Sequence, residues 1–199
     1  MYNYEKRLQY PVNIKIKSPK IAQIVLSQYG GPDGESAAAM RYMSQKFAMK
    51  NPKVAGLIND IAVEELGHLE MVGSIVSQLA KDLPCDDIDL AGFEKYYVDH
   101  TLGVWPQSAG GVPFSATTFQ SCGDPIADLI EDMAAEQKAR KTYDNILALV
   151  KESDVREPIK FLRAREIVHF QRFGEALRMV TEDMDKKNFY AFNPSSCIK

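Results

Sequence analysis

The stretch VEELGHLE, residues 63–70, places three carboxylates and a histidine inside a run that otherwise has the pattern of an amphipathic helix. Apolar residues recur at every third or fourth position from Val54 to Leu79, which is the spacing of a helix face that packs on a core. Glu65 and His68 occupy two positions of this apolar series. Because residues three apart lie on one helix face, the pattern predicts a carboxylate and an imidazole that point together into the core.

The same Glu-x-x-His spacing recurs later in the chain, in REIVHF at residues 165–170. Here Glu166 and His169 replace apolar residues in a series that runs from Val155 to Val180. The chain has 3 histidines, so most of them follow a glutamate in register with an apolar face. Buried unpaired carboxylates lose several kcal/mol of hydration. Their convergence therefore calls for compensating positive charge, which two divalent cations would supply.

Two further glutamates stand in comparable positions. Glu136 replaces an apolar residue in a series from Ile126 to Val150, and Glu35 begins the helical run ESAAAMRYMSQKF. One glutamate from each of two helices and a Glu-x-x-His pair from each of the other two is the ligand pattern of dimetal carboxylate bundles. Carboxylate and imidazole suit both manganese and iron, and intrinsic affinity favours Fe(II) over Mn(II). The residues alone therefore indicate a dimetal redox site and leave the metal open.

Other polar residues near these positions have simpler interpretations. Tyr42 lies two turns after Glu35 on the same face, and a buried hydroxyl needs a partner. A metal-bound carboxylate is one candidate, and core packing alone is the other. Glu64 and Glu70 fall off the apolar series, so we expect them to be solvated or paired with Lys or Arg. Gly67 would permit another helix to approach closely.

The helical segments predict an all-α fold. Four long segments are joined by a short, a long and a short connection, which is the connectivity of a ferritin-like four-helix bundle with a crossover between helices two and three. Alternating patterns that would predict strands are confined to NIKIK and part of the long connection. We expect one domain over 1–199, with an extended arm at 1–18 and the crossover at 84–123. The first helix is predicted to begin at Pro19 and to be interrupted by GGPDG at 30–34. The second runs from Asn51-Pro52 to Leu83, the third begins at Gly123-Asp124-Pro125, and the fourth begins at Ser153 or Asp154.

Composition and charge exclude several classes of function. The net charge of −3 and the pI near 5.7 favour neither nucleic acid nor an anionic membrane surface. No apolar run approaches the roughly 18–20 residues of a transmembrane helix, and the N-terminus lacks the apolar segment of a secretory signal. We therefore expect cytoplasmic synthesis without a signal peptide. Cys85, Cys122 and Cys197 form no CxxC pair, which gives no support to a zinc ribbon, a rubredoxin-type iron site or a thioredoxin-like pair.

Three segments of the chain resemble the manganese catalases, and within that family the short-chain spore-coat branch. They are GGPDGESAAAMRYMSQKF at 30–47, VPFSATTFQSCGDPIADLIEDMAAEQKAR at 112–140 and FLRAREIVHFQRFGEAL at 161–177. The segments follow in the family's order, and the resemblance covers most of residues 20–180. The chain departs from some members at Ala135, where they carry a basic residue. It also ends soon after the fourth helix, where longer members have a tail that wraps a neighbouring subunit.

The resemblance implies a ligand set and a reaction. The implied reaction is disproportionation of hydrogen peroxide to water and oxygen, with two manganese ions alternating between Mn(II)Mn(II) and Mn(III)Mn(III). Glu166 would handle protons without binding the metals, and Tyr42 would tune Glu35 through a hydrogen bond. Glu65 would bridge the ions, and water, hydroxide or oxide would complete the charge balance. The implied ligands are Glu35 and His68 for one ion, Glu136 and His169 for the other, and Glu65 for both.

Partners and location are also implied by the resemblance. We expect a homo-oligomer, the hexamer of the family, with the N-terminal arm and the long connection at the contacts between subunits. We expect a spore-coat location and other coat proteins as partners, with neither nucleic acid nor membrane among them. Two alternatives stay open. One is a di-iron ferritin-like peroxidase or ferroxidase, and the other is a structural coat protein with a vestigial metal site.

Overall fold

The computed structural model of the protein describes residues 4–90 and 93–186. Within these ranges the chain forms helices and connections, and its β structure is limited to an isolated antiparallel bridge between Gln107 and Pro113. The all-α prediction is therefore confirmed. Cys197 and the first three residues of the predicted arm lie outside the described residues.

The long helices form a bundle. The helices α1 and α2 pack on α3, α6 packs along α7, and α3 contacts α7. The connectivity is short, long and short, which confirms the predicted four-helix bundle with α1 and α2 as one interrupted helix. No helix in the described ranges combines the length and the hydropathy that a bilayer crossing requires. The helices are α1 (Pro19–Gly30), α2 (Glu35–Gln45), α3 (Pro52–Ala80), α4 (Cys85–Leu90), α5 (Glu94–His100), α6 (Pro125–Leu149) and α7 (Ser153–Lys186), with 3₁₀ turns at Lys46–Ala48 and Ala116–Phe119.

Polar caps followed by proline determine where α1, α3 and α6 begin. Ser18, Asn51 and Asp124 each accept hydrogen bonds from backbone N–H groups of the first turn, and a proline follows each of them. Such a cap contributes about 1 kcal/mol, and proline at the first position has no N–H to leave unbonded. Because the start of a helix sets the height of every later residue, these caps also set where Glu65 and Glu136 stand along the bundle.

The interruption between α1 and α2 lies at GGPDG, as predicted. The N–H of Gly31 caps the end of α1, and α2 begins directly at Glu35. Gly30 lets the crossover pack on this break, because a β-carbon there would lie 2.2 Å from backbone atoms of Pro106 and Gln107. The glycine is therefore required by the close approach of the two backbones.

The C-terminal end of α3 is shorter than predicted. We expected the helix to reach Leu83, and it ends at Ala80. The N–H of Lys81 still donates to Ser77, but Asp82 has a φ of 58°. The helix ends because Lys81, with a ψ of 134°, already leaves the helical conformation. The left-handed Asp82 completes the turn, and the apolar pattern beyond it does not reveal the change.

Two apolar clusters fill the bundle and leave a polar section between them. On α3 the clusters use residues within 54–62 and 71–80, and on α7 they use residues within 155–162 and 173–180. The section between the clusters contains the Glu-x-x-His pair of each helix. Because apolar side chains fill the bundle on both sides of this section, charges placed there are shielded from water along the bundle axis.

The N-terminal arm packs on its own bundle. The N–H of Ile14 donates to Oε1 of Gln78 at 2.7 Å, and Leu8 packs against the apolar cluster near the C-terminal half of α3. A β-carbon at Gly67 would lie 2.8 Å from Nε2 of Gln9. The close approach predicted at Gly67 is therefore made by the arm, and the prediction that a helix makes it is wrong.

Candidate metal centre

The acidic and imidazole side chains that the sequence singles out meet in the polar section of the bundle. Each is at most 2% exposed. Four helices supply them, so that residues far apart in the chain converge on one buried volume. They are Glu35 of α2, Glu65 and His68 of α3, Glu136 of α6, and Glu166 and His169 of α7.

Glu65 lies between the two imidazoles. Its Oε2 is 2.7 Å from Nδ1 of His68, and its Oε1 is 2.6 Å from Nδ1 of His169. The two rings are stacked, with centroids 5.4 Å apart. Both histidines therefore present the same ring nitrogen to the shared carboxylate.

A further glutamate stands beside each imidazole. Oε2 of Glu35 is 3.8 Å from Nδ1 of His68, and Oε2 of Glu136 is 3.6 Å from Nδ1 of His169. The cluster thus has two halves, each with one glutamate and one histidine, joined by Glu65. Two cations that share one carboxylate would have this distribution of donors.

Glu166 lies within the same group. Its Oε1 is 4.0 Å from Nδ1 of His68, and Glu65, His68, Glu166 and His169 each offer a donor atom within 4.8 Å of the others. By distance alone Glu166 qualifies both as a ligand and as a nearby proton carrier. The resemblance implied only the second role.

Burial and mutual repulsion control how the carboxylates ionise. Burial, followed by the charge of Glu65, raises the pKa of Glu35 well above its usual value. Burial and the neighbouring glutamates raise the pKa of Glu166 in the same way. Burial also opposes the ionisation of Glu65, but the charges of His169 and His68 lower its pKa below the usual range. The cluster therefore concentrates its negative charge on the central glutamate.

Neighbouring carboxylates favour the charged form of both imidazoles. Burial alone would lower the pKa of His68, but Glu65 and Glu64 raise it to about 10. Burial would lower the pKa of His169 as well, but the neighbouring carboxylates of Glu65, Glu136 and Glu64 raise it to about 12. The cluster thus attracts positive charge strongly, and a metal ion at Nδ1 would take the place of a proton.

The donor set fits two divalent cations. Oε2 of Glu136 and Oε1 of Glu166 are buried and have no hydrogen-bond partner among the described residues. Buried carboxylate oxygens without a donor are costly, and cations would satisfy them. Carboxylate oxygen and imidazole nitrogen are donors that both manganese and iron accept.

Two tyrosines donate hydrogen bonds to the outer glutamates, and their partners differ from the prediction. We expected Tyr42 to bond to Glu35. The hydroxyl of Tyr42 instead donates to Oε1 of Glu136 at 2.5 Å, and Tyr143 of α6 donates to Oε1 of Glu35. Both tyrosines are fully buried, and burial followed by the adjacent carboxylate raises the pKa of each. Each hydroxyl therefore remains a donor at neutral pH.

Glu64 has a role that the sequence reasoning missed. Its pairing with Arg165 was among the expected outcomes, and the guanidinium donates to it at 2.6 Å and 3.2 Å. The carboxylate also lies 3.2 Å from Nε2 of His169 and 3.6 Å from Nε2 of His68. Burial opposes its ionisation, but these three groups lower its pKa below the usual range. The four-residue spacing from Glu64 to His68 was the available signal, because such residues are neighbours on a helix.

The remaining residues considered from the sequence lie outside the centre. Glu70 accepts a hydrogen bond from Tyr4 at 2.8 Å. His100 stacks on Trp105 with ring centroids 4.9 Å apart. Neither contact involves a side chain of the centre.

Comparison with known proteins agrees with this geometry. Residues 1–192 match the sequence profile of the family described as manganese containing catalase. The chain is 45% identical to protein CotJC of Bacillus subtilis over 96% of the chain and 100% of that protein. It is 32% identical to a probable manganese catalase of Clostridium acetobutylicum over 95% of the chain and 85% of that protein. The crystal structure of KatB, a manganese catalase from Anabaena PCC7120, superposes with a TM-score of 0.84 at 32% identity, over 91% of this chain and 81% of that one.

Proposed function

We propose that this chain, which belongs to the manganese-containing catalase family, disproportionates hydrogen peroxide to water and oxygen at the buried cluster. The observation that carries the proposal is the position of Glu65 between His68 and His169, with Glu35 and Glu136 beside them. This arrangement offers two adjacent cation sites that share one carboxylate. A reaction that moves two electrons per peroxide molecule can be divided between two such ions, one electron at each.

We assign five residues as ligands. Glu35 and His68 would hold one ion, Glu136 and His169 the other, and Glu65 both. Nδ1 is the donating atom of each imidazole, because it is the nitrogen that faces Glu65. Three carboxylates leave part of the charge of two divalent cations unbalanced, so bridging water, hydroxide or oxide would complete the site.

Glu166 is assigned to proton transfer. Two manganese ions, when bound, would supply the reversible exchange of two electrons by which one peroxide is reduced to water and the next is oxidised to oxygen. Oxidation of a peroxide releases two protons and reduction of the other consumes two, so a nearby group has to hold a proton between the half-reactions. Oε1 of Glu166 is buried and has no hydrogen-bond partner among the described residues. Burial also raises its pKa, which suits a carboxyl that stores a proton.

Three further side chains position the ligands. The hydroxyls of Tyr143 and Tyr42 fix Glu35 and Glu136. The carboxylate of Glu64 lies beside Nε2 of both imidazoles, at 3.2 Å from His169 and 3.6 Å from His68, and its charge there would favour a proton on Nε2 and leave Nδ1 for the metal. These contacts would hold the donor atoms in place before the metal binds.

Reconstitution with manganese tests the proposal. Purified protein loaded with manganese should evolve oxygen from hydrogen peroxide, measured with an oxygen electrode. The double variant Glu65→Ala, His68→Ala should lose both metal and oxygen evolution. The double variant Glu70→Ala, His100→Ala removes the same residue types outside the centre and should retain both. Equal oxygen evolution by the two variants would contradict the assignment.

The position of Glu166 supports a second candidate function. Because Glu166 lies within 4.8 Å of other donors in the cluster, it could act as a fourth carboxylate ligand, as in the symmetric pattern of di-iron bundles. A di-iron peroxidase or ferroxidase would consume peroxide without releasing oxygen. Metal analysis of protein grown with manganese or with iron, together with oxygen release, separates the two candidates.

We also propose a spore-coat role, supported by the 45% identity with CotJC. In sporulating cells the protein should be recovered with the coat fraction, where other coat proteins would be its partners. Full coat assembly with the Glu65→Ala, His68→Ala variant, together with no peroxide turnover by the wild type, would favour a structural component with a vestigial site. Defective peroxide resistance of spores that carry this variant would favour the enzyme.

The oligomer proposed for this chain is the hexamer that the family resemblance implies. Light scattering coupled to size exclusion should give six times the 22.3 kDa of one chain. A monomeric protein that evolves oxygen would show that the proposed catalytic site is complete within one chain.

A further inference from the structure

A second buried polar cluster lies next to the candidate metal centre, and none of its residues takes part in the proposed metal binding. It consists of Arg41 and Gln45 of α2 and Asp132 of α6, which are 1%, 2% and 0% exposed. Asp132 precedes Glu136 by four residues, so the two carboxylates share one face of α6. Charged side chains are rarely buried to this degree unless they are paired.

The hydrogen bonding of this cluster is incomplete. Nη2 of Arg41 donates to the carbonyl of Thr118 at 3.0 Å, and Nε2 of Gln45 donates to Oγ of Ser121 at 2.9 Å. Within the described residues, Nε and Nη1 of Arg41, Oε1 of Gln45 and both carboxylate oxygens of Asp132 have no partner. Burial raises the pKa of Asp132, and the amide of Gln45 and the charge of Arg41 are near enough to oppose this rise, but they do not complete the bonding of the cluster. Buried polar groups left in this way are commonly satisfied by internal water.

The cluster reaches from solvent to the metal centre. At its outer end, Ser121 is exposed and bonds to Gln45. At its inner end, the hydroxyl of Tyr42 donates to Glu136. Burial and then the charges of Glu136 and Asp132 raise the pKa of this tyrosine, so both carboxylates lie near it. Polar groups thus continue from the surface beside Ser121 to a proposed ligand.

We propose that Arg41, Gln45 and Asp132 line a hydrated passage through which hydrogen peroxide reaches the Glu136 side of the metal centre from solvent beside Ser121. The inference rests on the proposed catalase function. Hydrogen peroxide is small and uncharged, and like water it has two O–H donors and lone-pair acceptors. The unbonded donors of Arg41 and acceptors of Asp132 match both kinds of group. Along the bundle axis the described residues on either side of the centre are instead the two apolar clusters.

The variant Asp132→Leu tests the passage by removing its central acceptor. We expect the KM for peroxide to rise about tenfold while kcat changes less than about twofold, since access is impaired and the metal site is intact. Metal content should not change. Asp132→Asn retains an acceptor oxygen and a polar side chain of the same size, so its KM should stay within about threefold of the wild type. Asp60→Leu is the matched control, because the Asp60 side chain is 67% exposed, and its KM should equal that of the wild type.

A double variant distinguishes impaired access from misfolding. Asp132→Leu alone leaves the buried guanidinium of Arg41 in more apolar surroundings, which is strongly destabilising. Replacing both side chains, as Arg41→Met with Asp132→Leu, exchanges two buried polar groups for apolar side chains, and buried charged groups are often replaced in this way without loss of stability. This variant should fold, bind metal and show the same rise in KM. A wild-type KM in the folded double variant would overturn the passage.

A crystal structure of the metal-free protein tests the passage without any measurement of catalytic activity. We expect ordered water bonded to Arg41 and Asp132 in the wild type, and its loss in the double variant. A direct ion pair between Arg41 and Asp132 with no water between them would overturn the inference. Absence of oxygen evolution by the manganese-loaded wild type would contradict the proposed function. Oxygen evolution with unchanged KM in both leucine variants would contradict the passage alone.

Discussion

The carboxylate of Glu64 lies 3.2 Å from Nε2 of His169, the ring nitrogen that does not face Glu65. Its other oxygen is 3.6 Å from Nε2 of His68, and Arg165 donates to both oxygens. A single carboxylate thus contacts both proposed imidazole ligands. A carboxylate at this position favours the proton on Nε2, so that Nδ1 would be presented to the metal.

Glu64→Ala should weaken metal binding without removing a ligand. Loss of a carboxylate that orients a metal-binding histidine lowers metal affinity by about 10–100-fold, and here two histidines lose it together. Competition with a chelator of known manganese affinity measures the change. Glu70→Ala, on the same helix, should bind manganese as the wild type does. Equal affinities in the two variants would contradict the role of Glu64.

Tyr143→Phe and Tyr42→Phe should each weaken one half of the centre. A hydrogen bond to a charged acceptor contributes about 1.5–3 kcal/mol, and Tyr143 serves Glu35 whereas Tyr42 serves Glu136. Calorimetric titration with manganese should show one weakened step of two in each variant. Tyr10→Phe is the control, because its ring stacks on Phe161 away from the centre. Loss of both steps in either variant would show that the halves are not independent.

Glu166→Gln should retain both metals and lose turnover. The amide keeps the size of the side chain but cannot store a proton, and general acid–base groups contribute about 10²–10⁴-fold to rate. Metal content and oxygen evolution are measured on the same preparation. Glu175→Gln, at an exposed position of the same helix, should behave as the wild type. Loss of both metals from Glu166→Gln would instead make Glu166 a ligand and favour the di-iron pattern.

The metal-free protein should lose stability as pH rises above neutrality. Folding raises the pKa of His68 to about 10 and of His169 to about 12, against about 6.5 in an unfolded chain. Such a group contributes its full stabilisation to the folded protein at pH values below the pKa that it has in the unfolded chain. This contribution is lost as the pH rises through the pKa that it has in the folded protein. Glu35 and Glu166 act in the same direction, because burial raises their pKa as well.

Urea unfolding of the metal-free protein at about pH 6.5 and about pH 9 measures this effect, and the free energy of unfolding should be lower at the higher pH. Manganese should stabilise the protein more as pH rises, because binding at the imidazoles displaces protons. The Glu65→Ala, His68→Ala variant should show a weaker dependence on pH. A metal-free wild type that becomes more stable between these two values would contradict the account of the charges.

The sequence predicts the long helices and the convergence of the centre because both depend on periodicity. Glu65 with His68 and Glu166 with His169 stand in apolar series of α3 and α7, and a helix face that packs on a core carries its interruptions into the core. Prediction of Glu136 rests on the same reasoning. The start of a helix can also be predicted from the sequence where a polar cap and a proline mark it, as at Asn51.

The partners of the tyrosines could not be predicted in this way. Residues seven apart on one helix are about 10.5 Å apart along its axis, too far for Tyr42 to bond to Glu35 directly. Tyr143 reaches Glu35 instead, from a helix whose height and rotation relative to α2 depend on the packing of the whole bundle. The burial of Arg41 depends similarly on the crossover, since Thr118 is its acceptor.

Metal content and oxygen release, measured on one sample of the purified protein, test the dimanganese catalase assignment. The account predicts two manganese ions per chain and one oxygen molecule released for every two peroxide molecules consumed. Protein that holds only iron and consumes peroxide without releasing oxygen would contradict it, as would fully manganese-loaded protein that leaves peroxide unchanged.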